Sequence, residues 1–244
     1  LLSPPNLPGW DDVAIVTFFR ERYGVPVYLQ NDANACALAE WKLGAGQGLS
    51  SLVFLTCGTG MGAGLILDGR LYHGVSDLAG EVGHIRLDRF GPPGFGKSGS
   101  FEGFCSGGGI AQLARSKALE QLQLGKQTAF CKSYADLDSI TAKSVADCAH
   151  AGDAFAREIY EISAEKLGAA LSLLVDLLNP QAIIIGSIFT RSHDLLWDGA
   201  RRVMERECIP VSYGACEVKS ARLGDDIGNY AALIVATGLG QINE

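Results

Sequence analysis

The sequence predicts an α/β fold built on a mixed sheet. Two observations carry that prediction. The apolar run Leu52-Val53-Phe54-Leu55 leads through a glycine-rich segment into Leu65-Ile66-Leu67, Asp68-Gly69 and another apolar stretch, Leu71-Tyr72. Two apolar runs joined by Asp-Gly are a hairpin signature. Farther on, Ala182-Ile183-Ile184-Ile185-Gly186 follows the longest helical pattern in the chain and reads as a strand buried on both faces. Hairpin strands followed by helix–strand alternation indicate a mixed sheet covered by helices. With 244 residues, 48% of them hydrophobic, the chain is long enough for a sizeable core or for two lobes sharing a cleft.

The elements follow in order. Val13 to Tyr23 reads as a helix and Val25 to Leu29 as a short strand. Asn31-Asp32-Ala33-Asn34 opens a helix that runs to Leu43 and stops at Gly44. Strands are expected at Leu52 to Leu55 and Leu65 to Leu67, and a loop-rich stretch from Gly80 to Gly109. Helices are expected at Ile110 to Leu124, Ser139 to His150 and Asp153 to Leu178, the last stopped by Asn179-Pro180. Phe155, Ile159, Ile162, Leu167, Leu171, Leu174 and Leu178 recur there mostly at three- or four-residue steps. Ser192 to Cys208 is helical, Cys216 to Ala221 strand-like, and Ile227 to Leu239 a terminal helix.

Charge and cysteines narrow the function classes. A net charge of −7 without any Lys or Arg run argues against non-specific nucleic-acid binding. Seven scattered cysteines without a C-x-x-C pair read as free thiols of a reducing compartment. No signal peptide and no bilayer-length apolar stretch is apparent, so a cytoplasmic protein without membrane contact is expected.

The segment from Leu55 to Ile66 holds glycines at 58, 60, 62 and 64. Such a segment can cradle a phosphate with its backbone N–H groups. Gly58-x-Gly60-x-x-Ala63 also fits the dinucleotide fingerprint, but that fingerprint must open a helix, and here a hairpin follows. A phosphate loop is the favoured reading; a plain glycine-rich turn is the other. Asn31 and Asp32 stand where a strand is expected to end and a helix to begin. They suit helix capping. They equally suit a cleft beyond the strand ends, where an ionised Asp32 could accept a hydroxyl proton in phosphoryl transfer. Glu81 and His84 in Gly80-Glu81-Val82-Gly83-His84, and Glu102 in a second glycine-rich segment, could bind sugar hydroxyls. Taken singly, each also suits an ordinary structural role. Gly186-Ser187 could receive an adenosine group or simply pack on the next helix. The connector Gly91 to Gly99 contains no cysteine, so a structural zinc is not expected there.

Together these segments resemble the ROK family, which groups bacterial sugar kinases with sugar-responsive repressors on an actin-like ATPase (ribonuclease H-like) fold. The resemblance covers essentially the whole chain, in order and spacing. It implies Asp32 as the base, Asn31, Glu81, His84 and Glu102 as sugar-binding residues, Thr59 and Gly60 on ATP phosphates, and Gly186 in the adenosine segment. Mg²⁺ would arrive with ATP. The implied acceptor is a hexose or N-acetylhexosamine, and the implied assembly a homodimer. Two departures stand out. Where the family commonly carries zinc-binding cysteines, this chain has Pro93, Phe95 and Ser100, so no zinc is expected and glycine turns or Phe95 packing must hold the loop. The family's first phosphate loop precedes the point where the sequence begins, at Leu1. The expected organisation is therefore a small-lobe remnant at 1–27, a large lobe at 28–226, and a helix at 227–244 returning toward the small lobe. Such a chain is expected to bind sugar and to phosphorylate it poorly or not at all alone. The alternative function is the sugar-binding effector domain of a repressor.

Overall fold

The structure, a computed structural model, describes residues 9, 10 and 12–239. The expected small-lobe remnant and the end of the terminal helix thus lie partly outside the described residues. Helix α1 (Ile15–Tyr23) ends at Gly24, which is left-handed. Residues 25–29, expected as a strand, form none. Pro26 has no N–H for a ladder, and no strand among the described residues pairs with this segment. Helix α2 (Asp32–Leu43) begins as the sequence indicates, with the Asn31 side chain accepting the Asn34 N–H at 3.1 Å.

Strands β1 (Leu52–Cys57), β2 (Met61–Leu67) and β3 (Arg70–Tyr72) form an antiparallel meander. Asp68 and Gly69, at φ 50° and 72°, make the β2–β3 turn with both central residues left-handed. The stretch expected to be loop carries a two-stranded hairpin, β4 (Pro93–Gly94) and β5 (Lys97–Ser98), and helix α3 (Phe101–Cys105). Helix α4 (Gly107–Gln123) starts ahead of Ile110 because the Ser106 hydroxyl caps it, accepting from Gly109 N. Helices α5 (Ala142–His150) and α6 (Ala154–Leu178) follow, the second capped by Asp153 and stopped by left-handed Asn179 before Pro180. Strand β6 (Ala182–Ile185), helices α7 (Ile188–Arg191), α8 (His193–Glu207) and α9 (Pro210–Ala215), strand β7 (Glu217–Ser220) and helix α10 (Ile227–Ala236) complete the chain.

The main sheet has the order β3-β2-β1-β6-β7, with β6 parallel to β1 and β7 parallel to β6. Alternation along the central strands fills two cores. Val53, Leu55, Ile183 and Ile185 pack into the large cluster with α3, α4, α5, α6 and α8. Leu52, Phe54, Ala182 and Ile184 face the opposite way, toward α2. Burial on both faces is why these strands read as unbroken apolar runs.

The four alternating glycines divide into two jobs. Only Gly58-Thr59-Gly60 lies in the β1–β2 connection, and none of the four glycines has positive φ. Gly62 and Gly64 are strand residues under α2. A Cβ on Gly64 would come within 2.4 Å of Ala37 Cβ and 2.7 Å of Ala33 O, so its absence lets the helix rest on the strand. A Cβ on Gly62 would make an ordinary 3.5 Å contact with Ala33 Cβ. Gly64→Ala is expected to cost about 1–3 kcal/mol by overpacking, and Gly62→Ala no more than roughly 0.5 kcal/mol; urea unfolding of the two variants measures the contrast.

Candidate active site

The carboxyl ends of β1, β6 and β7 open onto three adjoining cavities, where open α/β sheets bind ligands. The first, about 370 Å³, is lined by Asn31, Asp32, Thr56, Gly58, Thr59, Gly60, Asp77 and Glu81 among others. The second, about 480 Å³, is lined by Gly58, Thr59, Gly107, Gly108, Lys143, Ser187 and Arg191 with their neighbours. The third, about 390 Å³, includes Cys36, Thr56, Gly186, Ser187, Arg191, Gly224 and Asp225. Gly58 and Thr59 wall both the first and the second; Ser187 and Arg191 wall both the second and the third. A larger cavity of about 790 Å³ between α6 and α8 shares no residue with them.

The first cavity is acidic: it holds the carboxylates of Asp32, Asp77 and Glu81, and no cationic side chain among its described lining. Carboxylates and the Asn31 amide suit a ligand rich in hydroxyl donors. Asp32 Oδ1 accepts the Ala33 N–H at 2.8 Å, which fixes the carboxylate and leaves Oδ2 without a hydrogen-bond partner among the described residues. Asp32, Cys36 and Glu40 stand one turn apart along α2, and burial together with the two carboxylates pushes the Cys36 thiol up to about 11.

Glu81 is set by its two flanking glycines. A Cβ on Gly80 would lie 2.0 Å from Ala63 O, and one on Gly83 would lie 2.4 Å from Met61 O. Both α-carbons therefore press on β2 carbonyls two residues apart, and the Ala63 N–H bonds Gly80 O at 2.8 Å. Glu102 is not on the cavity wall; its Oε2 accepts the Met61 N–H at 3.0 Å and so holds the end of the Gly58–Gly60 turn. His84 is not brought to the wall either. It is exposed and meets Phe95 edge to face, ring centroids 6.1 Å apart.

The second cavity carries the cations Lys143 and Arg191; Arg191 also lines the third, where its guanidinium donates to Asp225 Oδ1 at 2.9 Å. The first residues of α4 close the second cavity, with Gly107 N donating to Gly58 O at 2.8 Å. A helix N-terminus next to a glycine turn favours an anion. Sequence reasoning missed Gly107, Gly108, Lys143, Arg191 and Asp77. Only the Gly-Gly-Gly run beginning at 107 carried a signal, as close backbone approach next to a helix start.

Ser187 opens α7 at φ 55° and ψ −115°, a region other residues avoid. Such a strained residue between two cavities fits a backbone that a ligand approaches.

The segment carrying His84 is not held by Phe95, which is 71% exposed. It is held by glycine turns and hydrogen bonds: Lys97 Nζ to His84 O at 2.8 Å, Arg86 to Ser98 O at 2.9 Å, and the N–H groups of Leu87 and Asp88 to Gly99 O. Lys166 adds an ion pair to Asp88 at 2.5 Å. Among the described residues no cluster of His, Cys, Asp and Glu could hold a metal, and no helix is long and apolar enough to cross a membrane.

The mixed sheet with helices on both faces is an actin-like ATPase fold, shared with solved sugar kinases. The chain belongs to the ROK family, whose family model matches residues 1–238. It is 35% identical over 222 residues to a glucokinase of Halalkalibacterium halodurans, spanning 90% of this chain and 66% of that protein. It is 29% identical to a xylose repressor of Caldicellulosiruptor bescii, spanning 92% of this chain and 55% of the repressor. The structure of a ROK family glucokinase from Streptomyces griseus in complex with glucose and AMPPNP superimposes with a TM-score of 0.77 at 30% identity, over 94% of this chain and 74% of that one. The chain thus spans less than two thirds of the glucokinase of Halalkalibacterium halodurans and little more than half of the repressor.

The Lys166 hydrogen bond, the Phe90 N–H and the lysine's charge hold the Asp88 carboxyl below the usual carboxylate range. A depressed carboxyl stabilises the fold above its ordinary pKa, and that contribution is lost as pH falls through the lowered value. Hydrogen exchange of residues 85–99, taken relative to the intrinsic rate at each pH, is expected to quicken on acidification in the wild type. In Lys166→Met it is expected to be fast already at neutral pH and to change less with acid.

Proposed function

We propose that the chain phosphorylates a hydroxyl of a hexose or N-acetylhexosamine with ATP as phosphoryl donor. The observation that supports this most is the shared turn. Gly58 and Thr59 face a carboxylate-lined cavity on one side and a cation-lined cavity on the other. A neutral polyol fits the first and a polyphosphate the second, with the turn where the two reacting ends would meet.

In this reading Asp32 is the general base. Its Oδ2 takes the proton of the sugar hydroxyl while that oxygen bonds to the γ-phosphorus and ADP departs. Phosphoryl transfer asks for position more than base strength, and the bond from Ala33 N supplies position. Asn31 and Glu81 hold the sugar. Glu102 supports it through the Met61–Gly60 turn, and His84 reaches the sugar only if its ring leaves Phe95. Thr59 and Gly60 meet the phosphates and Gly186 the adenosine group, with Lys143 and Arg191 balancing phosphate charge. Mg²⁺, when bound with the nucleotide, would supply further neutralisation of phosphate charge. A cytoplasmic location and a homodimer belong to the same reading; seven free cysteines fit a reducing compartment.

The second reading is the sugar-binding effector domain of a repressor, favoured by the similarity to xylose repressors. A coupled ATP assay across a hexose panel, beginning with glucose, separates the two. Asp32→Asn is expected to lower kcat by about 10²–10⁴-fold while calorimetric sugar affinity stays close to wild type. Unchanged turnover overturns the base assignment. In the full-length protein, sugar binding without any ATP-dependent turnover favours the repressor reading.

A further inference from the structure

Glu40 lies two turns beyond Asp32 on α2 and is fully buried. It forms no ion pair among the described residues; three backbone N–H groups satisfy it instead. Oε2 accepts Ala45 N at 2.7 Å, just past the end of its own helix. Oε1 accepts Arg222 N at 2.9 Å and Leu223 N at 2.8 Å, more than 180 residues along the chain. A buried carboxylate is costly to desolvate unless its oxygens are hydrogen-bonded. Apolar packing between α2 and α10 already joins these elements through Ala35, Ala39, Ala231 and Val235. A charge is not required for adhesion there, but it fixes the angle and register at which the 222–223 backbone meets the helix.

That backbone is the outer wall of the third cavity. Ala221 and Gly224, immediately on either side of the bonded pair, line it, as do Asp225 next in the chain and Cys36 from α2 itself. Helix α2 therefore carries a sugar-side residue at its first turn, Asp32, and a nucleotide-side wall at its last, through Glu40.

We propose that Glu40 is a positioning residue that ties the wall of the nucleotide cavity to the helix bearing Asp32, so that the donor and the acceptor are held in one frame. The role rests on the kinase reading above. It acts through the 221–226 backbone, and Glu40 touches neither substrate. Small misplacements of a reacting pair are costly, on the order of 10²-fold in rate for about 1 Å.

Glutamine is isosteric but loses the charge and replaces one acceptor oxygen with a donor, so Glu40→Gln weakens the three-bond tether without opening a cavity. Gly44→Ala is a second route, because its Cβ would fall 2.0 Å from Glu40 Oε2 and must push the carboxylate aside while keeping its charge. Two measurements on each variant test the role. In hydrogen exchange, the amides of Arg222 and Leu223 are expected to speed up at least about tenfold, with β6 and α6 unchanged. In titrations with a fluorescent ATP analogue and with glucose, nucleotide affinity is expected to fall about tenfold, with glucose affinity within about twofold. Wild-type exchange at 222 and 223 in both variants overturns the tether. Parallel losses of sugar and nucleotide affinity that track a lower Tm reduce Glu40 to a structural residue and overturn the proposal. A full-length wild type that binds no nucleotide overturns the kinase reading, and the positioning role with it, while the exchange arm still decides whether Glu40 holds the wall.

Discussion

The close contact between α2 and β2 is the constraint from which the site follows. Strand β2 has no Cβ at Gly64, and α2 answers with Ala33 and Ala37, so helix and strand backbones nearly touch. That approach brings the first turn of α2 beside the turn joining β1 to β2. Asn31 and Asp32 then share a cavity wall with Thr59 and Gly60. Gly80 and Gly83 press on the same strand from another side and present Glu81 to the same space. Bulkier residues at these few points would separate groups that now share one cavity, because packed interiors do not yield smoothly.

Charge is distributed along the cleft as sharply as shape. Carboxylates line the first cavity, while Arg191 and Lys143 line the second, with the uncharged Gly58-Thr59-Gly60 turn between them; on the wall of the third, Arg191 is paired with Asp225 at 2.9 Å. An anionic ligand is repelled from the first end and a neutral polyol is not. On the kinase reading proposed above, this division would let a chain of net charge −7 take both a sugar and a polyphosphate.

Much of this was legible in the sequence. Alternating burial on two faces made the central strands readable as apolar runs, and Asn31, Asp153 and Asn179-Pro180 marked helix ends by their capping chemistry. The Asp68-Gly69 turn was readable because both residues must be left-handed. Residues 25–29 misled because a strand is defined by its partner, and local composition says nothing of partners. The glycine series misled in part, since close helix–strand approach and ligand approach ask for the same residue. Arg191, Lys143 and Asp77 were invisible: each stands in an ordinary surface sequence and enters the site only through the tertiary fold. His84 and Glu102 were visible as motif residues, yet their placement depends on how the 85–99 segment and α3 pack, which no local pattern encodes.

The proposed reaction requires one cleft to receive sugar and nucleotide on the two sides of the Gly58–Gly60 turn. A crystal structure of the protein with glucose and a non-hydrolysable ATP analogue tests this most directly. The expected result is a sugar hydroxyl within hydrogen-bond distance of Asp32, the terminal phosphate against Thr59, and the adenosine group toward Gly186. Sugar and nucleotide bound in separate places, or glucose bound away from Asp32, would contradict it.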